Sequence, residues 1–527
     1  MRRHHQNQIS GLLGQIKKIQ VEEKYAECQE VALFLCDFIE SVAGEGTEIV
    51  KEIEEYCELL FKAHNGENVK GLLKKRIVKI ENLVKSELKP TRYEIAFLSY
   101  KAAQSDALES IYLAAKKDPN CDAFWIPIPY SPKNPDKSLG EQELEGLGYY
   151  DERFEITNYK EYDIEARRPD AIFTFNTYDK TSFMMQTPDE YFCETLRGQT
   201  DMLIYMPYFI FNDAPVDMGP EEIVKWFNEI HDRDFVKDNT RAASLHCHKA
   251  FLPSTNLANM FKGGFDTVIP KHKKYPGDTN EKFIALGSPK IEKVLGATKE
   301  NYPLPKELAD KVEGKKVILV NMSVSPVNSG GIFLKKLSDL VDYFLYAEKT
   351  VLWWRPHPLL EASMSVINPD ALDILKRATN LIKTSDSMIY DDSVSYHQAL
   401  AWADAFYGDL GTLMYSVPLL GIPAIQYSPS KRLPFGKELE EDAEISQALI
   451  DSFNSFELRA KLKYPVKEVP GLSLAQLAHF ATSKENSPEI IAKRKELYVQ
   501  RYGKPSENAG QRIYDYTKNE ILKTFGS

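Results

Sequence analysis

The chain has 527 residues and a formal net charge of -11, and this length predicts two or three domains, because one hydrophobic core does not grow so large. The acidic balance argues against a nucleic-acid-binding protein, since neutralised phosphates supply most of the affinity in that class. Six cysteines without metal-ligand spacing predict reduced thiols of a cytoplasmic protein, and neither a disulfide framework nor a metal site.

Residues 1–90 carry apolar side chains at helical spacing. Gly44 and Gly66 separate three apolar stripes, a short helix near Ile9 to Ile19 precedes them, and Pro90 closes the segment. The stripes are only as wide as ordinary helix packing demands. We therefore predict a helical appendage whose helices pack on one another or on a second subunit. In the second case, a homo-oligomer would form through these helices.

From Tyr93 the pattern changes to strands alternating with helices, which is typical of parallel, doubly wound sheets. The predicted strands are YEIAFLSY, CDAFWIPIPY, DAIFTFN, DMLIYMPYFI, AFLPST and DTVIP in a first half, and KFIALGSPK, KKVILVNMSV, KTVLWWRPHP, SMIYDD, DAFYGD and IPAIQY in a second. The polar segment KHKKYPGDTNEK separates them. We predict an α/β protein of two Rossmann-like domains, 91–275 and 276–463, with a helical tail over 464–527.

WWRPHP, residues 353–358, is the first of two strand-to-loop segments with the side chains of an anion site. Arg355 has a planar donor fork that matches phosphate oxygens, and His357 is a titratable donor. Taken alone, the segment is also consistent with a strand end that carries a structural arginine. A second loop favours the anion site, because ligands of doubly wound sheets lie beyond the carboxyl ends of neighbouring strands.

That second loop is AFYGDLGT, residues 405–412, which leads into a predicted helix from Thr412 to Leu420. The first N–H groups of a helix attract anions. Asp409, Gly411 and Thr412 are therefore predicted to contact the substrate. With Arg355 and His357, they would form one phosphate-binding site.

Other strand ends supply further candidates. Asp106 follows the first strand of the first half and is our candidate for the general base. An alternative is that Ser105 and Asp106 cap and charge the first turn of a helix. The remaining predicted substrate contacts are Lys101 on the same loop, Lys290 in the turn GSPK, and Asn321 and Ser323 after the strand KKVILV.

His246 and His248 are predicted to share one face of a strand. They lack a third ligand nearby, so we interpret them as neutral, hydrogen-bonded residues. We predict no metal and no cofactor. The longest apolar runs have strand length, and MRRHH leads into polar residues, so neither a membrane span nor a signal peptide is predicted.

The helical amino-terminal segment is followed, in this order, by YEIAFLSYKAAQSDALESIYLAAKKD, RRPDAIFTFNTYD, DMLIYMPYF, ALGSPKIEKV, WWRPHPL, IYDD and DAFYGD. Together, over about Ala26 to Tyr427, these segments resemble the CDP-glycerol glycerophosphotransferase family. The resemblance implies a GT-B fold of two Rossmann-like domains. It also implies transfer of glycerol phosphate from CDP-glycerol to a polymer or lipid-linked acceptor, in the synthesis of teichoic-acid-like or capsular polymers. The protein would then be cytoplasmic, with peripheral contact at the inner face of the membrane.

By position, the histidine of the family's RPHP segment falls on His357, and the family's D-x-S-S loop falls on Asp409 to Thr412. This chain has Gly411 and Thr412 where the family has paired serines. It also lacks the His-Gly-Thr segment that the resemblance implies for the first half. Two alternatives therefore stay open, which are a GT-B glycosyltransferase that uses a nucleotide sugar and a catalytically weak protein that binds polymer precursors.

Overall fold

The computed structural model describes residues 1–134, 136–182, 185–210, 221–222, 225, 242–268, 278–322, 337, 340–358, 360–367, 369, 372–408, 412–426, 487–492, 495–496 and 507–525. These residues form a helical bundle and two α/β halves, each built on a parallel sheet. The predicted fold class is therefore confirmed.

The bundle consists of α1 (Arg3–Val21), α2 (Tyr25–Ala43), α3 (Glu48–His64) and α4 (Lys70–Glu87). Each helix buries one apolar stripe in a shared core, as amphipathic helices do. The first helix begins earlier than predicted and carries Ile9, Leu13 and Ile16 into that core. The periodicity of the sequence thus predicted the bundle correctly.

Arg2 joins the bundle to the first half. Its guanidinium lies 3.0 Å from Glu94 and 3.3 Å from Asp170, and it donates to the carbonyl oxygens of Arg167 and Arg168 at 2.9 and 2.6 Å. Glu94 lies near the amino end of the first strand, and Asp170 directly precedes another. The bundle is therefore attached at the amino ends of the strands, opposite their carboxyl ends.

The first sheet has six strands, which are β1 (Tyr93–Ser99), β2 (Cys121–Pro127), β4 (Ala171–Thr174), β6 (Met202–Tyr205), β7 (Lys249–Leu252) and β8 (Phe283–Ala285). They are parallel throughout and lie in the order β2-β1-β4-β6-β7-β8. The short strands β3 (Ser131–Pro132) and β5 (Met185–Gln186) form a separate antiparallel pair. All seven residues of β1 are buried, as expected for a central strand of a parallel sheet.

Two strand assignments of the sequence differ from the structure. β8 pairs with β7 in the first sheet, although we predicted it for the second half, because the polar segment before it resembles a connection between domains. The chain leaves the first sheet only after β8, at Gly287, whose φ of +96° suits a glycine turn. The predicted strand DTVIP was wrong, since the helix Thr255–Val268 includes its first three residues and its last two lie outside the described residues.

The second sheet has five parallel strands, which are β9 (Lys316–Met322), β10 (Thr350–Pro356), β11 (Met388–Tyr390), β12 (Ala405–Gly408) and β13 (Ala424–Gln426). They lie in the order β11-β10-β9-β12-β13. Apolar side chains are buried on both faces of the sheet in two core clusters. All five strands were predicted from the sequence.

Helices cover the two sheets. Those of the first half are Glu109–Lys116, Ile164–Arg167, Cys193–Gly198, Ala242–His246, Thr255–Val268 and Thr279–Lys282; those that follow are Pro289–Leu295, Lys306–Val312, Leu360–Ile367, Leu372–Thr384, His397–Trp402 and Thr412–Ser416. In the described part of the chain, no helix combines the length and the apolar character that crossing a bilayer requires.

The carboxyl-terminal helix Ala509–Phe525 packs on the first half and buries Ile513, Tyr514 and Ile521 in its core. Gly510 is needed there, because a Cβ at this position would lie 2.2 Å from the hydroxyl of Ser110. Earlier in the tail, the carbonyl oxygen of Ile491 approaches Gly421 of the second half so closely that a Cβ there would lie 2.3 Å away. The described parts of the tail therefore contact both halves.

Candidate functional site

The strand order of the second sheet has one switch point, between β9 and β12, where the next strand is added on the opposite side of β9. β9, β10 and β11 lie one after another toward one edge, whereas β12 and β13 lie on the other side of β9. Parallel sheets bind ligands in the crevice at such a point, outside the carboxyl ends of the strands. Asn321 lies near the end of β9, His357 directly follows β10, and Thr412 begins the helix after β12.

Asn321 and Gly408 bring the two central strands together at this point. The side-chain amide of Asn321 donates to the carbonyl oxygen of Arg355 at 2.7 Å, which fixes its orientation. A Cβ at position 408 would lie 2.3 Å from the carbonyl oxygen of Asn321, so β12 approaches β9 only with glycine there. In the sequence, Gly408 is part of the predicted AFYGDLGT motif, but its role in strand packing is visible only in the structure.

Arg355 holds a neighbouring loop in place. Its guanidinium lies 2.9 Å from the Asp391 carboxylate and donates to the Ser393 hydroxyl at 3.0 Å and to the Ser395 carbonyl oxygen at 3.4 Å. Asp391 also accepts a hydrogen bond from the indole N–H of Trp353 at 2.9 Å. The donors of Arg355 are therefore directed at loop 391–395. These contacts agree with the alternative interpretation of the WRPHP segment, in which the arginine at the strand end is structural.

The side chain of His357 is half-buried. Burial lowers its pKa below the ordinary value, so the imidazole is neutral at neutral pH and has one N–H to donate. Thr412 begins the helix Thr412–Ser416, and its carbonyl oxygen accepts from the hydroxyl of Ser416 at 2.8 Å. Asp409, Gly411 and Ser323 lie outside the described residues.

Asp106 forms a buried cluster that joins the halves. Both carboxylate oxygens accept from the Lys290 ammonium, at 2.9 and 2.7 Å, and one also accepts from the hydroxyl of Tyr396 at 3.1 Å. The imidazole Nε2 of His397 lies 3.7 Å from the same carboxylate. Lys290 therefore donates to Asp106, whereas we predicted a contact of Lys290 with the substrate, and that contact stays a prediction.

The charges of this cluster follow from its burial. Burial by itself raises the pKa of Asp106, but the Lys290 ammonium, its hydrogen bond and the other nearby basic groups together outweigh burial, and the pKa lies below its ordinary value. Burial lowers the pKa of His397 to about 3, which the nearby carboxylate does not offset. At neutral pH the cluster therefore contains a carboxylate, an ammonium and a neutral imidazole.

The helical cap proposed as the alternative role of Ser105 and Asp106 was wrong. Both residues lie inside a short 3-10 helix, Ala102–Ala107, and the following helix begins at Glu109 without a side-chain cap. Lys101, just before this turn, donates to the Tyr130 hydroxyl at 2.6 Å and lies 3.3 Å from Glu145. Its ammonium thus has partners within the first half.

His246 and His248 do not share a strand. His246 ends the helix Ala242–His246, and His248 lies between that helix and β7. The Nδ1 atom of His248 accepts from the backbone N–H of Leu203 at 2.8 Å, and burial lowers its pKa to about 4. His248 is thus a neutral, hydrogen-bonded residue. Among the residues that the structure describes, no group of acidic, histidine and cysteine side chains has the arrangement of a metal site.

Sequence reasoning missed Tyr396 and His397. They follow the loop that Arg355 holds, where the polar run DDSVSYH passes into the helix His397–Trp402. A polar run between a strand and a helix is a signal for a cleft residue in this type of fold. It did not indicate that Asp106, 290 residues from Tyr396 in the chain, would be the partner.

No family model matches the sequence, and no curated protein matches it. The chain is similar to solved structures described as a UDP-N-acetylglucosamine 2-epimerase from Listeria monocytogenes (13% identity, 82% of this chain and 97% of that one, TM-score 0.46) and S. aureus MnaA with UDP (13%, 82% and 97%, 0.45). It is also similar to a variant of the wall teichoic acid polymerase TagF soaked with CDPG (12%, 90% and 99%, 0.45). At these values the likenesses carry no argument on activity.

Proposed function

We propose that the protein transfers glycerol phosphate from CDP-glycerol to a hydroxyl of a polymer or lipid-linked acceptor and releases CMP. The observation that carries the proposal is the switch point of the second sheet, because Asn321, His357 and Thr412 follow the three strands that meet there. The choice of CDP-glycerol rests on the sequence resemblance around WWRPHP and DAFYGD.

In this reaction the acceptor oxygen attacks the phosphorus that carries glycerol, and the bond from that phosphorus to the CMP oxygen breaks. The acceptor loses its proton, so the products are the glycerophosphoryl ester, CMP and a proton. Catalysis of such transfers consists mainly of positioning and charge stabilisation. In our proposal the neutral His357 donates its N–H to the departing phosphate, and the backbone N–H groups after Thr412 add to this stabilisation.

Arg355 and Asp106 enter the proposal with different roles. Arg355 is a positioning residue, because its donors hold loop 391–395. Asp106 stays our sequence-based candidate for the base, but its contacts with Lys290 and Tyr396 favour a role in joining the halves. Lys101, Asp409, Gly411 and Ser323 remain proposed substrate contacts on sequence grounds alone.

Calorimetry with CDP-glycerol and with UDP-sugars tests the donor. We expect CDP-glycerol to bind, and His357→Asn to weaken turnover without unfolding the protein, whereas His64→Asn on the exposed surface of α3 has no effect. Tighter binding of a UDP-sugar would favour the glycosyltransferase alternative, which the replacement of paired serines by Gly411 and Thr412 suggests. CDP-glycerol binding without CMP release on any acceptor would favour the precursor-binding protein.

The proposed acceptor implies work at a membrane surface from the cytoplasmic side. We propose that the bundle stabilises the protein or joins two copies, and that it does not insert into lipid. Removal of residues 1–90 should reduce stability or self-association, because Glu94 and Asp170 lose Arg2. Sedimentation with anionic liposomes measures the alternative. Loss of liposome binding on this deletion alone would identify the bundle as a membrane anchor.

A further inference from the structure

A cavity of about 750 Å³ lies between the two halves, next to the Asp106 cluster. One wall is formed by the turn Ala102–Ala107 and by residues 149–153 of the first half. The other is formed by residues 394–397, which continue the loop that Arg355 holds. A ligand in this cavity would therefore be separated from Arg355 by loop 391–395.

Charged side chains in the cavity form ion pairs with one another, and carboxylates outnumber cations. The Glu109 carboxylate accepts from both Arg153 and Lys293, and Arg153 also donates to Asp151 at 2.8 Å. Including Asp106 and Glu152, four carboxylates but only two cations belong to the lining residues. Even with Lys290 behind Asp106, the cavity keeps an acidic balance, which disfavours a phosphate and other anions.

The same walls offer donors and acceptors side by side. The Lys293 ammonium has three N–H bonds and donates to Glu109, while each carboxylate oxygen has more than one lone pair. The Nε2 atom of His397 has no hydrogen-bond partner among the described residues, although the side chain is about 97% buried. A buried polar atom without a partner costs free energy. A hydroxyl group suits such a lining, because it both donates and accepts.

Aromatic rings complete the lining. Tyr149 is 61% exposed at the cavity, and Tyr302 lies on the opposite side, with its ring stacked near that of His397 at 5.9 Å. Aromatic faces beside fixed polar groups pack against the C–H surfaces of sugars and polyols, since such ligands are apolar on one face and polar at their edges. A small anion has no C–H surface of this kind for an exposed tyrosine ring to pack against.

We propose that this cavity binds a neutral, hydroxyl-rich ligand, a sugar or polyol unit of the acceptor, and excludes phosphate groups. The inference rests on the proposed function, since it takes the ligand to be the acceptor. This unit of the acceptor would then be held between the two halves, on the side of loop 391–395 that faces the first half. The cavity would then recognise the hydroxyl groups of the ligand and not a charge.

Saturation-transfer NMR with methyl glucoside and with glucose 6-phosphate tests the proposal on the intact protein. We expect signals for methyl glucoside and much weaker ones for glucose 6-phosphate. Tyr149→Ala and Glu152→Ala alter exposed residues of the cavity and should weaken methyl glucoside binding by about tenfold. The control is Tyr346→Ala, which removes an 85% exposed tyrosine outside the cavity lining and should leave binding unchanged.

Absence of methyl glucoside signals from the wild-type protein would overturn the inference, as would equal signals in all variants or stronger binding of glucose 6-phosphate. Calorimetry with CDP-glycerol on the same samples separates the two claims. Donor binding without sugar binding leaves the proposed function standing and removes the acceptor cavity. Sugar binding that the cavity variants abolish, without any binding of CDP-glycerol, would retain the cavity and remove the donor assignment.

Discussion

Both sheets have a switch point, and the two are lined differently. In the first sheet it lies between β1 and β4, where the rings of Tyr100 and Phe175 are 5.2 Å apart and the hydroxyl groups of Tyr205 and Thr177 lie 2.8 Å apart. These residues are buried. In the second sheet, Asn321 and the neutral imidazole of His357 occupy the corresponding edge. The same topology thus gives one crevice filled by aromatic packing and one with polar groups, which favours the second half for the nucleotide.

The contact between the two halves should give the largest effect. Asp106→Asn is expected to lower the free energy of unfolding by about 3 to 5 kcal/mol, because it leaves the Lys290 ammonium buried without a counterion. Urea denaturation measures the loss. The double variant Asp106→Asn with Lys290→Met should recover much of it. Unchanged stability with a large loss of turnover would instead make Asp106 the base.

Paired variants at the two switch points test the comparison itself. His357→Ala should reduce turnover by about 100-fold without unfolding the protein, because a donor to the departing phosphate is lost. Tyr205→Phe should cost about 1 kcal/mol of stability and leave turnover unchanged. Steady-state kinetics measure the turnover of both variants, and thermal denaturation measures their stability. Equal effects on turnover would mean that the first crevice also contacts substrate.

Acid should weaken the contact between the halves through His397. Its pKa is about 3 in the folded protein and about 6.5 in an unfolded chain, so the unfolded state binds the extra proton between these values. The contribution of His397 to stability is therefore full above pH 6.5 and falls by about 1.4 kcal/mol per pH unit as the pH decreases below it. The ionised Asp106 adds no slope until the pH falls to the ordinary pKa of an aspartate in the unfolded chain, about 3.9, because its folded pKa is lower still.

Denaturation at pH 7.5, 6 and 5 measures this slope. His397→Asn should remove the part of the slope that His397 contributes, whereas the exposed His64→Asn should leave the slope unchanged. His248 in the first half, with a pKa of about 4, contributes a similar slope of its own and remains in both variants. If His397→Asn retains the full acid dependence, the imidazole does not report the contact between the halves.

The smallest effect concerns Thr412. Thr412→Ala should weaken CDP-glycerol binding by about fivefold, since one hydrogen bond of about 1 kcal/mol is lost, and Thr412→Ser should be nearly neutral. Calorimetry gives both dissociation constants. Normal binding by Thr412→Ala would remove the loop after β12 from the donor site and weaken the contrast between the two crevices.

Strand ends explain how much of the site was predictable. Asn321 and His357 follow apolar strands in the sequence, and the order of parallel strands brings such ends together. β8 was assigned to the wrong half, because local composition marks a connection but not which sheet the next strand joins. The pairing of Asp106 with Lys290 spans 184 residues, and no local pattern predicts a contact at that separation. The orientation of Arg355 toward loop 391–395 depends on tertiary packing in the same way.

Arg2 ties the bundle to the amino ends of β1 and β4, whereas Ser99 at the other end of β1 leads into the turn that borders the cavity. β1 has seven residues, so about 20 Å separates the two edges. The bundle thus lies on one side of the sheet and the proposed substrate site on the other, so the two do not compete for space. A second copy of the chain held by the bundle would leave substrate entry open, and occupancy of one side would need no change in the other.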